Sequence, residues 1–143
     1  MLSKIDILKD LDDAALEELK SRSKWRRIAP RQTLILHQTP ARSVYFLCEG
    51  MMYATMNGPN GREAGIEKYY AGDVIADFAV LAGLDNEYDV VADTECLIAE
   101  LPAEDFQSYA QSHAPLCRSL LLKSISAYRA AILRIRELSL IKV

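Results

Sequence analysis

The chain is poor in the residues that build metal centres. It has three cysteines, Cys48, Cys96 and Cys117, and two histidines, His37 and His113, in 143 residues. No cysteine pair has the short spacing of a zinc or iron–sulfur motif. Two distant histidines do not make a metal-dependent jelly-roll enzyme or a haem ligand set, so both read as surface or capping residues. No nucleophile–base constellation is visible, which argues against an enzyme. No apolar run approaches the roughly 20 residues that span a bilayer, and the first residues lack a signal-peptide pattern. The expectation is a cytoplasmic protein with no membrane contact. Lysine and arginine are missing between Lys68 and Arg118, a span that holds Asp73, Asp77, Asp85, Glu87, Asp89 and further acids. Basic residues then return, from Arg118 through Lys123, Arg129 and Arg134 to Arg136.

What is present reads as one domain with a single core. Residues from about Ser3 to Ser23 are expected to be helical, with Asp12 capping a second segment. Lys24 to Ile28 alternates and opens a β region, its basic residues lying on a solvated face around a core Trp25. Thr33–Leu36, Val44–Cys48, Met51–Met56, Arg62–Tyr70, Val74–Ile75, Tyr88–Ala92 and Glu95–Leu101 read as further short strands. Cys48, in an apolar strand, reads as a buried, inert thiol. Asn57-Gly58-Pro59-Asn60-Gly61 reads as a hairpin connection. Short strands at this spacing predict a sandwich or jelly roll. Pro102 and Pro115 open two helices, the second running to about Leu138. In it Leu121, Ile125, Tyr128, Ile132 and Ile135 recur at intervals of four and three, a heptad-type seam. Leu120, Leu122, Ala127, Ala131 and Leu133 also need cover, which favours pairing of two helices over packing on one domain.

The stretch Gly72-Asp73-Val74-Ile75-Ala76-Asp77-Phe78-Ala79-Val80-Leu81-Ala82-Gly83, followed by an acidic loop and a strand, reads as turn, strand, helical turn, loop and strand. It resembles the phosphate-binding cassette of the cyclic nucleotide-binding domain, as found in the Crp/Fnr family of transcription regulators. Gly50, Gly61 and Gly72 fall at turns where that family keeps glycines; a fourth family glycine is Thr39 here. The resemblance implies a mainly β fold with flanking helices, a double-stranded β-helix, followed by a long dimerisation helix. It divides the chain into residues 1–113, the jelly roll with N-terminal helices, and 114–143, the dimerisation helix and hinge. Leu138-Ser139-Leu140-Ile141-Lys142-Val143 resembles the family's hinge. No helix-turn-helix is expected in this chain, so DNA contact belongs to a domain beyond it.

The cassette departs from the family pattern in its chemistry. Ala76 stands where the family has glycine, and Asp77 where it has the ribose-binding glutamate. Asn86 or Glu87 stands where it has the phosphate-binding arginine, with Tyr88 beside them. Ala131 and Ile132 match the family's adenine-contacting hydroxyls, and neither can hydrogen-bond. An anionic phosphate buried without a cation costs several kcal/mol. The candidate pocket of Ala76, Asp77, Phe78, Asn86, Glu87, Tyr88, Ala131 and Ile132 is therefore expected to bind cAMP and cGMP weakly or not at all. Arg129 and Arg62 are the cations that could restore such binding. Apolar Ala76, Phe78, Ala131 and Ile132 suit a less charged effector, or the pocket is filled by its own side chains. No cofactor is expected. Asp85, Glu87 and Asp89 alternate like a calcium loop but lack its sixth-position glycine and closing glutamate, so no metal is expected. The resemblance predicts the effector-sensing and dimerisation part of a transcription regulator. A stand-alone, kinase-attached or channel-attached cyclic nucleotide module is the alternative.

Overall fold

The computed structural model describes residues 1–57 and 63–141. Eight strands form two four-stranded antiparallel sheets. One contains β1 (Lys24–Ile28), β3 (Ser43–Glu49), β6 (Val74–Ile75) and β8 (Cys96–Pro102) in the order β1-β8-β3-β6. The other contains β2 (Thr33–Ile35), β4 (Met51–Asn57), β5 (Glu63–Tyr70) and β7 (Asp89–Ala92) in the order β2-β7-β4-β5. Apart from the β4–β5 pair, which stays in one sheet, sequence neighbours alternate between sheets, the jelly-roll connection expected from the strand spacing. The Asn57–Gly61 hairpin and Arg62 lie in or beside residues outside those described.

The central strands of the first sheet, β3 and β8, are buried on both faces, each face in its own core. Ile28, Leu47, Ile75, Cys96 and Ile98 pack with Ile35, Met52, Ala54, Val90 and Ala92 of the second sheet. Val44, Phe46, Ala99 and Leu101 form the opposite face and pack under the helices, with Leu8, Leu19, Phe106 and Leu116. This explains the unbroken apolar run of β3: a strand covered on both faces does not alternate.

The N-terminal helix expectation is corrected. Two short 3-10 turns, Leu2–Lys4 and Asp6–Leu8, precede α1 (Asp13–Arg22). Ile5 is extended between the turns, which lets Leu2, Ile5, Ile7 and Leu8 all point into the core. Asp12 caps α1, its side chain accepting from the Ala15 amide at 2.8 Å. Trp25 is also corrected: it is 38% exposed. Strand β1 lies at a sheet edge, and Ile28 is its one buried residue. The basic residues of β1 are matched by acids of β8, Arg26 to Glu100 at 2.8 Å and Arg27 to Glu95 at 3.1 Å. Cys48 is only half-buried, while Cys96 is buried and Cys117 exposed. The Cys48 thiol still titrates above its ordinary value, chiefly through burial.

Three helices complete the chain: α2 (Asp77–Ala82), α3 (Ala103–Ser112) and α4 (Ala114–Ile141). At 28 residues α4 is about 42 Å long. Leu116 and Leu120 anchor its start in the core. Beyond Leu120, every described side chain of α4 is exposed except Lys123 and Ile132, which are half-buried. Leu138 to Ile141 form its last turn. Among the described residues no helix is long and apolar enough to cross a membrane.

Candidate functional site

Strand β6 ends at Ile75, and the chain must turn sharply to begin α2. It does so at Ala76, the residue before the helix, with φ +72°. That left-handed conformation is one alanine adopts at a cost of about 1–2 kcal/mol. Helix α2 ends at Gly83, also left-handed at φ +68°, whose amide donates back to the carbonyls of Ala79 and Val80. Gln107 of α3 donates to the Val80 carbonyl at 2.8 Å and ties the helix down.

Between α2, the loop 84–88, β5 and α4 lies a cavity of about 650 Å³. Its walls are mainly apolar: Ile35, Ile66, Ile75, Ala76, Phe78, Leu84, Val90, Ala127 and Ala131. Its polar groups are Glu67, Tyr69, Asp77, Asn86, Glu87, Tyr88 and Lys123. Asp77 is only 4% exposed. Its carboxylate accepts from the Lys123 ammonium, Oδ2 to Nζ at 2.8 Å. The same ammonium lies 4.2 Å from the centre of the Phe78 ring, a cation–π distance. A buried carboxylate needs such a partner, since an isolated one is strongly disfavoured.

Asn86 is held from the opposite side. Its side-chain amide donates to Thr39 Oγ1 at 3.2 Å and reaches the Pro40 carbonyl at 3.5 Å. Its backbone pairs with the same turn, its amide donating to the Thr39 carbonyl and its carbonyl accepting from the Gln38 amide. The loop is thereby stitched to the β2–β3 connection. Tyr69 donates to Glu67 at 3.3 Å. Burial, and then the Glu67 carboxylate, hold the Tyr69 hydroxyl well above the ordinary phenol range. Tyr88 is raised by burial first and by Glu87 second. Both phenols stay protonated at neutral pH and can donate hydrogen bonds.

Of the sequence-predicted pocket residues, Ala76, Asp77, Phe78, Asn86, Glu87, Tyr88 and Ala131 line one cavity. Ile132 does not. One residue further round α4 points its side chain away from the face that carries Ala127 and Ala131. Arg129 is exposed and does not line the cavity. Sequence reasoning missed Glu67, Tyr69 and, above all, Lys123. A signal for Lys123 was there: Lys123, Ala127 and Ala131 are spaced by four and share one helix face. Asp89 serves elsewhere, accepting at 2.9 Å from both the His37 amide and its Nδ1.

The family model for the cyclic nucleotide-binding domain matches residues 25–113, well over half the chain. The chain belongs to that family. A sequence search of curated proteins finds no match. Among solved structures, the catabolite activator protein of Thermus thermophilus is similar at a TM-score of 0.83 and 15% identity, over 94% of this chain and 63% of that one. The sensor domain of the transcriptional regulator DNR from Pseudomonas aeruginosa gives a TM-score of 0.80 at 18% identity, over 92% of this chain and 88% of that one. The regulatory subunit of a cAMP-independent protein kinase A from Trypanosoma brucei gives 0.76 at 21% identity, over 92% of this chain and 48% of that one. The chain thus spans less than two thirds of the Thermus and Trypanosoma chains. These likenesses establish a fold shared with regulatory domains.

Proposed function

We propose that this chain is the effector-sensing and dimerisation part of a Crp/Fnr-type transcription regulator, with a cavity that takes cAMP and cGMP weakly or not at all. One observation carries the second half of this reading. The cation that lines the cavity among the described residues, Lys123, is already committed to the buried Asp77. Asn86 faces the β2–β3 turn, and Glu87 adds negative charge. A cyclic phosphate entering here meets no free cation among the described residues that line the cavity. A lost charged contact costs about 2–5 kcal/mol, against the roughly 8 kcal/mol of a micromolar complex. The dimerisation half rests on α4, whose seam residues Leu121, Ile125, Tyr128 and Ile135 are all exposed in the single chain. DNA contact, in this reading, belongs to a further domain.

A kinase-type regulatory module is the second reading, favoured by the Trypanosoma neighbour. That kinase is cAMP-independent. A triple variant of that protein, one change being threonine to arginine, has been solved with cAMP in its A site. By analogy, loss of an arginine here fits loss of cyclic nucleotide binding.

Calorimetric titration with cAMP and cGMP tests the pocket. The expected constants are weaker than about 100 μM, or about 5.5 kcal/mol. Tight binding of either nucleotide overturns the pocket reading. Sedimentation analysis of the chain, expected to show a dimer, tests the other half.

A further inference from the structure

The Asp77–Lys123 contact stands at a junction. It is the one ion pair between α2 and α4 among the described residues. On α4 it follows directly on Leu120, the last buried residue of that helix. From 124 onward the described side chains of α4 are exposed, Ile132 excepted, with Ala127 and Ala131 lining the cavity and no described residue entering the core. The place where the projecting part is fastened to the domain is therefore inside the ligand-sized cavity.

The contact also has the chemistry of a recognition site. A carboxylate 4% exposed faces the cavity, and an aromatic face lies beside it. Together they hold an ammonium by charge, hydrogen bond and cation–π attraction. That ammonium arrives on a flexible four-carbon stem from another helix. The remaining ionised groups of the cavity, Glu67 and Glu87, add negative charge at its rim. An incoming cation is favoured there and an anion opposed.

We propose that Asp77 and Phe78 form an ammonium subsite, which the chain fills with its own Lys123 and for which a ligand bearing a primary amine competes. Exchange of one ammonium for the other unfastens the projecting part of α4 from α2. The ligand class that follows is an amine with an apolar body, matching the apolar walls. This rests on the reading of the cavity as an effector site. It adds the ligand's chemistry and the contact through which occupancy reaches the helix. A ligand shifts such an equilibrium only through different affinities for the two arrangements, and competition for one carboxylate supplies that difference.

The test is chemical rescue in the full chain. Lys123→Ala is expected to lower the melting temperature and to speed amide exchange over 124–135 by about tenfold, with β4 and β8 unchanged. n-Butylammonium chloride should restore much of the melting temperature of Lys123→Ala. n-Butanol and sodium butyrate, matched in concentration and ionic strength, should not. In Lys123→Ala/Asp77→Asn the amine should do nothing. In the unmodified chain it should speed exchange over 124–135. If Lys123→Ala does not fold, Asp77→Asn, nearly isosteric, is expected to show the same local acceleration. Equal rescue by butanol, rescue that survives Asp77→Asn, or unchanged exchange in a folded Lys123→Ala or Asp77→Asn chain each overturns the proposal. A parallel cAMP titration separates the two readings. Tight cAMP binding with amine rescue intact overturns the pocket assignment alone. Absent rescue with absent cAMP binding overturns the subsite alone.

Discussion

Ala76 and Gly83 bracket α2 as mirror positions: both are left-handed, at φ +72° and +68°, and only one is glycine. The short helix is therefore entered through strain and left without it. Ala76→Gly removes a cost of about 1–2 kcal/mol and adds back about 0.5–1 kcal/mol of unfolded-chain freedom. The expected net gain, about 0.5–1 kcal/mol, raises the melting temperature by about 1–4 °C. Gly83→Ala meets open space and loses on conformation alone, by about 1 kcal/mol. A melting temperature that falls in Ala76→Gly, or holds in Gly83→Ala, contradicts this assignment.

Gly50 makes a harsher demand. It has φ +94°, and a Cβ there would lie 2.4 Å from the Glu95 carbonyl oxygen and 2.7 Å from Cys96 Sγ. The carbonyl is backbone next to β8 and cannot swing aside. Gly50→Ala combines a clash with an unfavourable φ, and a loss of about 3 kcal/mol or more is expected. Urea denaturation measures it directly.

Asp89 links β7 to the turn after β2. The His37 amide first, and then its ring, hold the Asp89 carboxyl below the ordinary carboxylate range. A carboxyl lowered by folding stabilises the fold above its unfolded value, about 4, and that contribution disappears as the pH falls through the lower folded value. Asp89→Asn should accordingly be less stable than the unmodified chain at pH 7. The gap should close on acidification below about pH 4. A gap that widens with acid is the contrary outcome, readable in denaturation curves across pH.

Ile125 and Tyr128 are exposed on α4, and neither supports the domain core. Ile125→Asp with Tyr128→Asp is expected to change monomer stability by no more than about 1 kcal/mol, as exposed substitutions do. The same pair of charges facing each other across a two-helix seam should convert a dimer to a monomer by sedimentation. A dimer that survives both changes places the interface elsewhere.

Much of the fold was legible because it depends on local chemistry. Turn residues separate short apolar strands, Asp12 caps α1, and Pro102 and Pro115 open the last two helices. Trp25 misled because a strand's period tells which residues share a face, not whether the strand lies at an edge. The N-terminal turns misled because Leu2, Ile5, Ile7 and Leu8 can reach one core without a continuous helix. Seven of the eight candidate residues line one cavity, since the cassette is nearly continuous in sequence and α4 is regular. Ile132 fell out because neighbouring residues on a helix point about 100° apart.

The amino-acid sequence by itself determined the jelly roll, the cassette and the heptad pattern of α4, because each follows from contacts or periodicities within a few residues. It also determined that no arginine stands in the cassette loop. Only the tertiary structure decided which cation answers the buried carboxylate. Asp77 and Lys123 are 46 residues apart, on α2 and α4, which meet only in the folded chain. A long lysine has no preferred partner until the fold presents one at 2.8 Å.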